Sequence, residues 1–356
     1  MKLADHQTLR GLSAQRRPRF AVTALASGAL VAAAALALTG CSSGKADSLA
    51  LAGANTTNTQ MSGSLAGSFQ ILTLNDRRDV TFNQLLGINN EGVIAGYFGS
   101  GAAGHPNKGY VLRPPFAQRD FGNENFPGSR QTQVTGLNDR GVTVGFWSTQ
   151  NTASMSNNNF GFYSLGGRSF PVNFPTGTPS KPPVDQLLGV NNHDVAVGFF
   201  TNASGQNRGY TYNINTRKFG RVLVPGAAGL GPSLTAAGIN NHGDVAGFYN
   251  KTATTVDAFL KLHTGRFITL AFPGAAMTQA FGVNDSNEVV GTYTTGTGNA
   301  AVTHGFIWQN GTFASVDIGG ASATTVNGVN NEGDLVGFYT DAKGNTNAFR
   351  RVRGCG

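Results

Sequence analysis

The side chains able to do chemistry are few. Past the first 40 residues the histidines are His105, His193, His242, His263 and His304. An imidazole acts as a general base or a metal ligand only with a partner near, and no two of these have metal-ligand spacing. His193 and His242 fill the third slot of an Asn-Asn-x-Gly stretch and His263 lies in another turn, so all three read as polar turn residues. His105 and His304 fall in loops of variable length and are the pair a site could use. Asp139, Asp244, Asp285 and Asp334 come one per turn, too few for a calcium ligand set. There is no G-x-S-x-G elbow. GAAGLG (226–231) has the composition of a phosphate loop but no helix after it. Arg113, Arg168, Arg217, Lys218 and Arg266 lie near turns; they read as polar edge protection, with a basic face toward anionic headgroups as the other reading. Nothing in this set calls for a cofactor or a metal.

What must position these residues is a strand-rich chain. Of 356 residues, 50 are Gly and only 12% are charged, yet 40% are hydrophobic. That balance fits many short strands joined by tight turns rather than disorder. No segment past residue 40 keeps a 3.6-residue apolar period, so helices should be scarce. The formal charge is +8. Lys2, Arg10, Arg16, Arg17 and Arg19 against Asp5 supply half of it, and no dense basic cluster points to a nucleic-acid partner.

The N-terminus reads as an address. RRPR (16–19) precedes an apolar run from Ala21 to Leu38, which makes residues 1–40 an export signal. An uncleaved membrane anchor is the competing reading, because the run nearly reaches spanning length. Leu38-Thr39-Gly40-Cys41 resembles the lipobox of bacterial lipoproteins. That resemblance implies acylation of Cys41, which would become the first mature residue and anchor the chain in a membrane. Ser42 in place of Asp implies the outer membrane. Residues 41–67 then read as the lipidated Cys with a flexible tether. Cys355 is the other cysteine, so a disulfide framework is excluded.

The rest, 68–356, is repetitive. Six copies begin at Gly87, Gly136, Gly189, Gly238, Gly282 and Gly328, as in GINNHGDVAGFY (238–249). The Asn-Asn-x-Gly unit between apolar runs predicts a hairpin turn whose fourth residue has positive φ. Those structural turn positions are Gly92, Gly141, Asp194, Gly243, Asn287 and Gly333. Asp and Asn stand in for Gly, and they are the residue types that best tolerate the left-handed region. A small residue and an aromatic follow about 20 residues on, such as Gly305-Phe306, then another turn and a further strand. Each unit thus predicts a four-stranded antiparallel meander. The expected fold is all-β, a single six-bladed β-propeller of about kelch-like repeat length. The last copy lacks a fourth strand, and residues 68–74 are expected to supply it by pairing beside 348–352. A β-solenoid is the runner-up. A Gly recurs within strand two (Gly96, Gly145, Gly198, Gly247, Gly291, Gly337), where an aromatic of the neighbouring blade is expected to pack.

These units, G-[ILV]-N-[ND]-x-G-x-[VIL]-[AV]-G followed by Gly-Phe-x-Trp, resemble the HAF-type "probable extracellular repeat" proteins of bacteria over about residues 68–352. The resemblance implies an exported protein and assigns no chemistry. The links between strands two and three, and between four and one, vary in length and fall on one face, where binding is expected. The function expected is a membrane-anchored binding or interaction module for a protein or glycan. An extracytoplasmic glycan hydrolase or lyase, and a structural envelope component, are the alternatives.

Overall fold

The computed structural model describes residues 69–150, 157–227, 229 and 231–353. The export signal, Cys41, the tether, Ser68 and Cys355 lie outside the described residues. The described chain is all-β; its only helical pieces are the 3-10 turns Gln118–Asp120 and Gly298–Ala300. The strands form four sheets of four strands and one of eight. The eight-stranded sheet is two antiparallel groups joined by a single parallel bridge, Val256 to Met277. The same bridge recurs elsewhere as Phe82 to Thr346 and Asn159 to Val184. The described residues therefore form six four-stranded groups.

Each group follows the sequence motif. The first strands are Asn83–Ile88, Gln131–Leu137, Asp185–Val190, Leu234–Ile239, Met277–Val283 and Ala323–Val329. Each runs into an Asn turn, beyond which the second strand returns antiparallel, as Val195–Thr201 does beside Asp185–Val190. The Asn turns and the links from third to fourth strand share one end of the groups, the Asn-turn end. The links from second to third strand, and from one group to the next, share the other, the loop end. The last group takes its outer strand from the front of the chain: Phe69–Thr73 pairs with Thr346–Arg353, Phe69 opposite Arg353 and Thr73 opposite Phe349.

The first three strands bury both faces, because other sheets cover them on either side. Apolar clusters fill the spaces between consecutive groups. One joins Val144 and Tyr163 of the second group to Leu187 and Tyr210 of the third. Another joins Val336 and Ala348 of the last to Leu85 and Tyr110 of the first. The third-strand aromatics Tyr110, Phe162, Tyr210, Phe259, Phe306 and Phe349 are each 0% exposed, which makes them the centre of the core.

These rings also explain the strand-two glycines, differently from the sequence expectation. Gly96 pairs directly with Tyr110 of its own sheet, and Gly337 with Phe349. A Cβ on Gly96 would overlap the Gln84 carbonyl oxygen and stand 3.0 Å from the Tyr110 ring. The crowding thus comes from the same group, not the neighbouring one. The cause is a β-bulge in every first strand, between Leu85 and Gly87 in the first copy and between Val326 and Gly328 in the last. The extra residue turns a carbonyl toward the second strand, where only Gly leaves it room.

Candidate functional site

The six Asn turns meet at one end, and their side chains have separate tasks. In the first slot, Asn89 Oδ1 accepts the Glu91 and Val93 N–H groups at 3.1 and 2.8 Å, closing its own turn. Its Nδ2 donates outward to Asn138 O of the next turn at 3.2 Å. Asn138 donates to Asn191 O at 2.8 Å, Asn191 to Asn240 O at 2.9 Å, and Asn240 to Asn284 O at 3.1 Å. Asn284 donates to Asn330 O at 3.0 Å, and Asn330 to Asn89 O at 3.3 Å, so the series returns to its start. An aspartate could close the turn but has no N–H to give the neighbour, which is why this slot is Asn in all six copies.

The second slot makes a second series. Asn90 N donates to Asp139 Oδ1 at 2.8 Å, Asp139 N to Asn192 Oδ1 at 2.9 Å, and so on to Asn331 N, which donates to Asn90 Oδ1 at 2.9 Å. Only an acceptor is needed here, so Asp is allowed. Asp139 Oδ2 takes amide protons from Asn90 and Asn192 at 2.8 and 2.6 Å. Asp285 Oδ2 takes them from Asn241 and Asn331 at 2.9 and 2.7 Å. Burial pushes the Asp285 carboxyl up, but these amides and His242 outweigh it and hold the group below its ordinary range. Just inside the turns, a Cβ on Gly87 would stand 3.0 Å from Gly136 Cα, and one on Gly328 3.2 Å from Gly87 Cα, so the first strands crowd together. The cavity the turns enclose is about 60 Å³. That holds a few waters and is too small for a sugar or a nucleotide.

The turn positions read from sequence have positive φ throughout: 72° at Gly92, 78° at Gly141, 58° at Asp194, 85° at Gly243, 57° at Asn287 and 79° at Gly333. The aspartates taken as one per turn separate into two kinds. Asp139 and Asp285 share the second-slot series. Asp244 instead contacts the His263 ring at 2.8 Å, and Asp334 accepts Arg350 at 2.6 Å. Among the described residues no three His, Cys, Asp or Glu come together in a way that could hold a metal ion.

His105 and His304, the two loop histidines, each meet an aspartate. His105 Nδ1 lies 2.7 Å from Asp79 Oδ2. Burial pushes Asp79 up, but bonds from Thr81 and His105 outweigh it. His304 is the more suggestive, because a hydroxyl, an imidazole and a carboxylate line up. Thr295 Oγ1 lies 3.0 Å from Nε2, and Nδ1 lies 3.1 Å from both Asp317 oxygens. The imidazole stacks on Tyr293 at 5.0 Å. Strand register assembles the three, since His304 sits opposite Tyr293 in the ladder and Asp317 directly follows Thr312–Val316. The chain has the connectivity of a base-activated hydroxyl, on the loop end.

Asp185 is the carboxyl that burial perturbs most clearly: desolvation raises it to about 7 against bonds from Tyr210 and Phe174. Tyr210 Oη donates to Oδ1 at 2.5 Å and Phe174 N to Oδ2 at 2.6 Å. At the same position of other copies, Thr132 accepts Phe126 N and Thr278 accepts Phe272 N, at 3.1 and 2.9 Å. Asp185 thus pins a loop as those threonines do, and its perturbation is structural.

No protein-family model matches the chain, and no curated protein matches it in sequence. Among solved structures it is similar to an ulvan lyase from a new polysaccharide lyase family, with 14% identity over 74% of this chain and 77% of that one, TM-score 0.41. It is similar to a gluconolactonase from Xanthomonas campestris, with 13% identity over 86% and 99%, TM-score 0.48. It is also similar to the Aleuria aurantia lectin, seen in complex with Fucα1-6GlcNAc, with 10% identity over 77% and 95%, TM-score 0.46.

Proposed function

We propose that the chain is an exported lipoprotein of the HAF-type repeat kind, anchored through Cys41 and directed to the outer membrane by Ser42, whose residues 68–356 form a closed six-bladed propeller that binds a glycan or protein of the cell envelope. The observation that carries this reading is the contrast between the two ends. At the Asn-turn end every side chain of the two hydrogen-bond series is committed to a neighbouring turn, and the cavity is too small for a sugar or a nucleotide. At the loop end the links differ in length and sequence, from 99–107 to 202–206, on strands held from both sides. A rigid scaffold carrying unequal loops is the usual setting of a binding surface. The pairing of Phe69–Thr73 with the last group supports closure.

The test has two parts. Fatty-acid labelling of the full chain in a bacterial host is expected to depend on Cys41; a Cys41→Ala chain that labels as strongly as the parent would sink the anchor. A glycan array and an envelope pull-down, each with the processed protein, are expected to return a ligand whose capture falls when exposed loop-end residues such as Asn299 and Lys343 are changed to Ala. Capture that survives every loop-end change and responds to the Asn turns would refute the assignment of the face.

A second reading, an enzyme, has one specific observation behind it, the Thr295–His304–Asp317 chain. If it is a nucleophilic relay, the protein hydrolyses an activated ester and loses that activity in both Thr295→Ala and His304→Gln. Turnover that either variant retains would remove this reading.

A further inference from the structure

The pairing of the outermost strand fixes where the N-terminal segment leaves the folded part. Fourth strands run from the Asn-turn end toward the loop end. Phe69–Thr73 occupies the fourth-strand place of the last group, and its first residue pairs with Arg353. The chain before Phe69 therefore meets the sheets at the Asn-turn end, on their outer edge. Any anchor upstream of Phe69 pulls on that end.

The same end is electrically divided. Third slots of the Asn turns are Arg140, His193 and His242 in the second, third and fourth groups, but Glu91, Ser286 and Glu332 in the first, fifth and sixth. The links from third to fourth strand repeat the division in part: the first group also carries an exposed cation there, Arg113, beside the Glu91 of its Asn turn. Arg168, Arg217 with Lys218, and Arg266 are exposed on the second, third and fourth groups. The fifth group has Gln309, Asn310 and Gly311 there. Acids on the cationic half are tucked in: Asp194 is 4% exposed and 3.2 Å from Arg140, and Asp244 is 2% exposed and held by His263. The outward charge of this half is therefore positive.

We propose that the cationic half of the Asn-turn end, carried by Arg168, Arg217, Lys218 and Arg266, docks on anionic lipid headgroups and turns the loop end away from the membrane. The occupant follows from the exit of the N-terminal segment at this end and from charge complementarity. The orientation rests on the lipoprotein reading for its anchor; the charged surface does not.

The test uses the processed protein in a Cys355→Ser background, with a fluorophore on Thr264→Cys at the Asn-turn end or on Ser204→Cys at the loop end. It is combined with vesicles of phosphatidylcholine, with or without phosphatidylglycerol, that carry a headgroup quencher. Quenching is expected at position 264 and not at 204, only with phosphatidylglycerol, and is expected to fade in high salt. Each cation near such a surface is worth about a fivefold gain in binding, so Arg168→Gln, Arg217→Gln, Lys218→Gln and Arg266→Gln together are expected to weaken it on the order of 600-fold. The loop-end set Arg130→Gln, Lys181→Gln and Lys343→Gln is expected to leave it unchanged. Equal quenching at both positions, quenching at neither, or equal loss in the two sets overturns the proposal, as does retention on an acidic polysaccharide without vesicle binding. If the chain carries no lipid, the same labels report on protein simply mixed with vesicles, so failure of the anchor and failure of the surface are separate results.

Discussion

Asp185 offers a prediction whose size follows from its surroundings. Its carboxyl stands at about 7 in the folded protein, against 3.8 ordinarily. Below about pH 4 it is protonated in both folded and unfolded chains and has no effect. As pH rises, the unfolded chain loses the proton first and the folded state falls behind by about 1.4 kcal/mol per pH unit. The loss ends near pH 7, at roughly 4 kcal/mol. In Asp185→Asn no charge is buried, and Oδ1 can still accept from Tyr210 or Phe174. The other partner loses its acceptor, which costs about 1 kcal/mol. The variant is therefore expected to be less stable than the parent by about 1 kcal/mol at pH 4 and more stable by about 2–3 kcal/mol at pH 8. Urea unfolding followed by tryptophan fluorescence, repeated from pH 4 to 8, measures the difference. Asp79, Asp244, Asp285 and Asp341 have lowered folded values, so their contribution is lost only as pH falls below about 4. A difference between parent and variant that stays flat from pH 4 to 8 refutes the argument.

Other perturbations test the turns and the seam. Gly243→Val should cost at least 1–2 kcal/mol by thermal unfolding, since φ is 85° there, while Gly243→Asn should be nearly tolerated and Asn287→Gly neutral or slightly stabilising. Val as mild as Asn would contradict the left-handed assignment. Asn138→Asp keeps the turn acceptor but sets a carboxylate against Asn191 O and Asp194, and should cost about 2–3 kcal/mol, whereas Asp139→Asn should cost about 1 kcal/mol. The reverse order in chemical denaturation would mean that the first-slot amide is not the donor. Deleting 69–74 from the full chain should lower stability by several kcal/mol, and deleting 42–61 should do almost nothing. Equal melting temperatures would remove the strand pairing as a source of stability.

The repeat, the turns and their positive-φ residues were legible because each is written in a few adjacent residues. Gly92 and Asn287 declare their backbone by type alone. The strand-two glycines were visible but misread, since the bulge that crowds Gly96 is a matter of register, which periodicity does not record. The same limit hid the contact of Gly87 with Gly136, although a glycine opening every motif was a signal for close approach. Thr295, His304 and Asp317 are brought together across three strands, and no spacing rule announces that. Nor does composition tell that Asp139 and Asp244, both in Asn turns, face different neighbours.

The first-slot series also bears on how such a chain arose. Every Asn amide gives its proton to the turn that follows, and Asn330 gives its own across the seam to Asn89 as the others do. The donations therefore circulate in one sense, and no repeat is self-sufficient, since each turn carbonyl depends on a donor from the repeat before it. A gene carrying one such unit could not have encoded a finished version of this end. A run of such units satisfies every donor and acceptor of this series only when the last donor meets the first acceptor, as Asn330 meets Asn89. Phe69–Thr73 and Thr346–Arg353 meet at one of the six places where these turns follow one another, and the bonding pattern gives that junction no privilege over the rest.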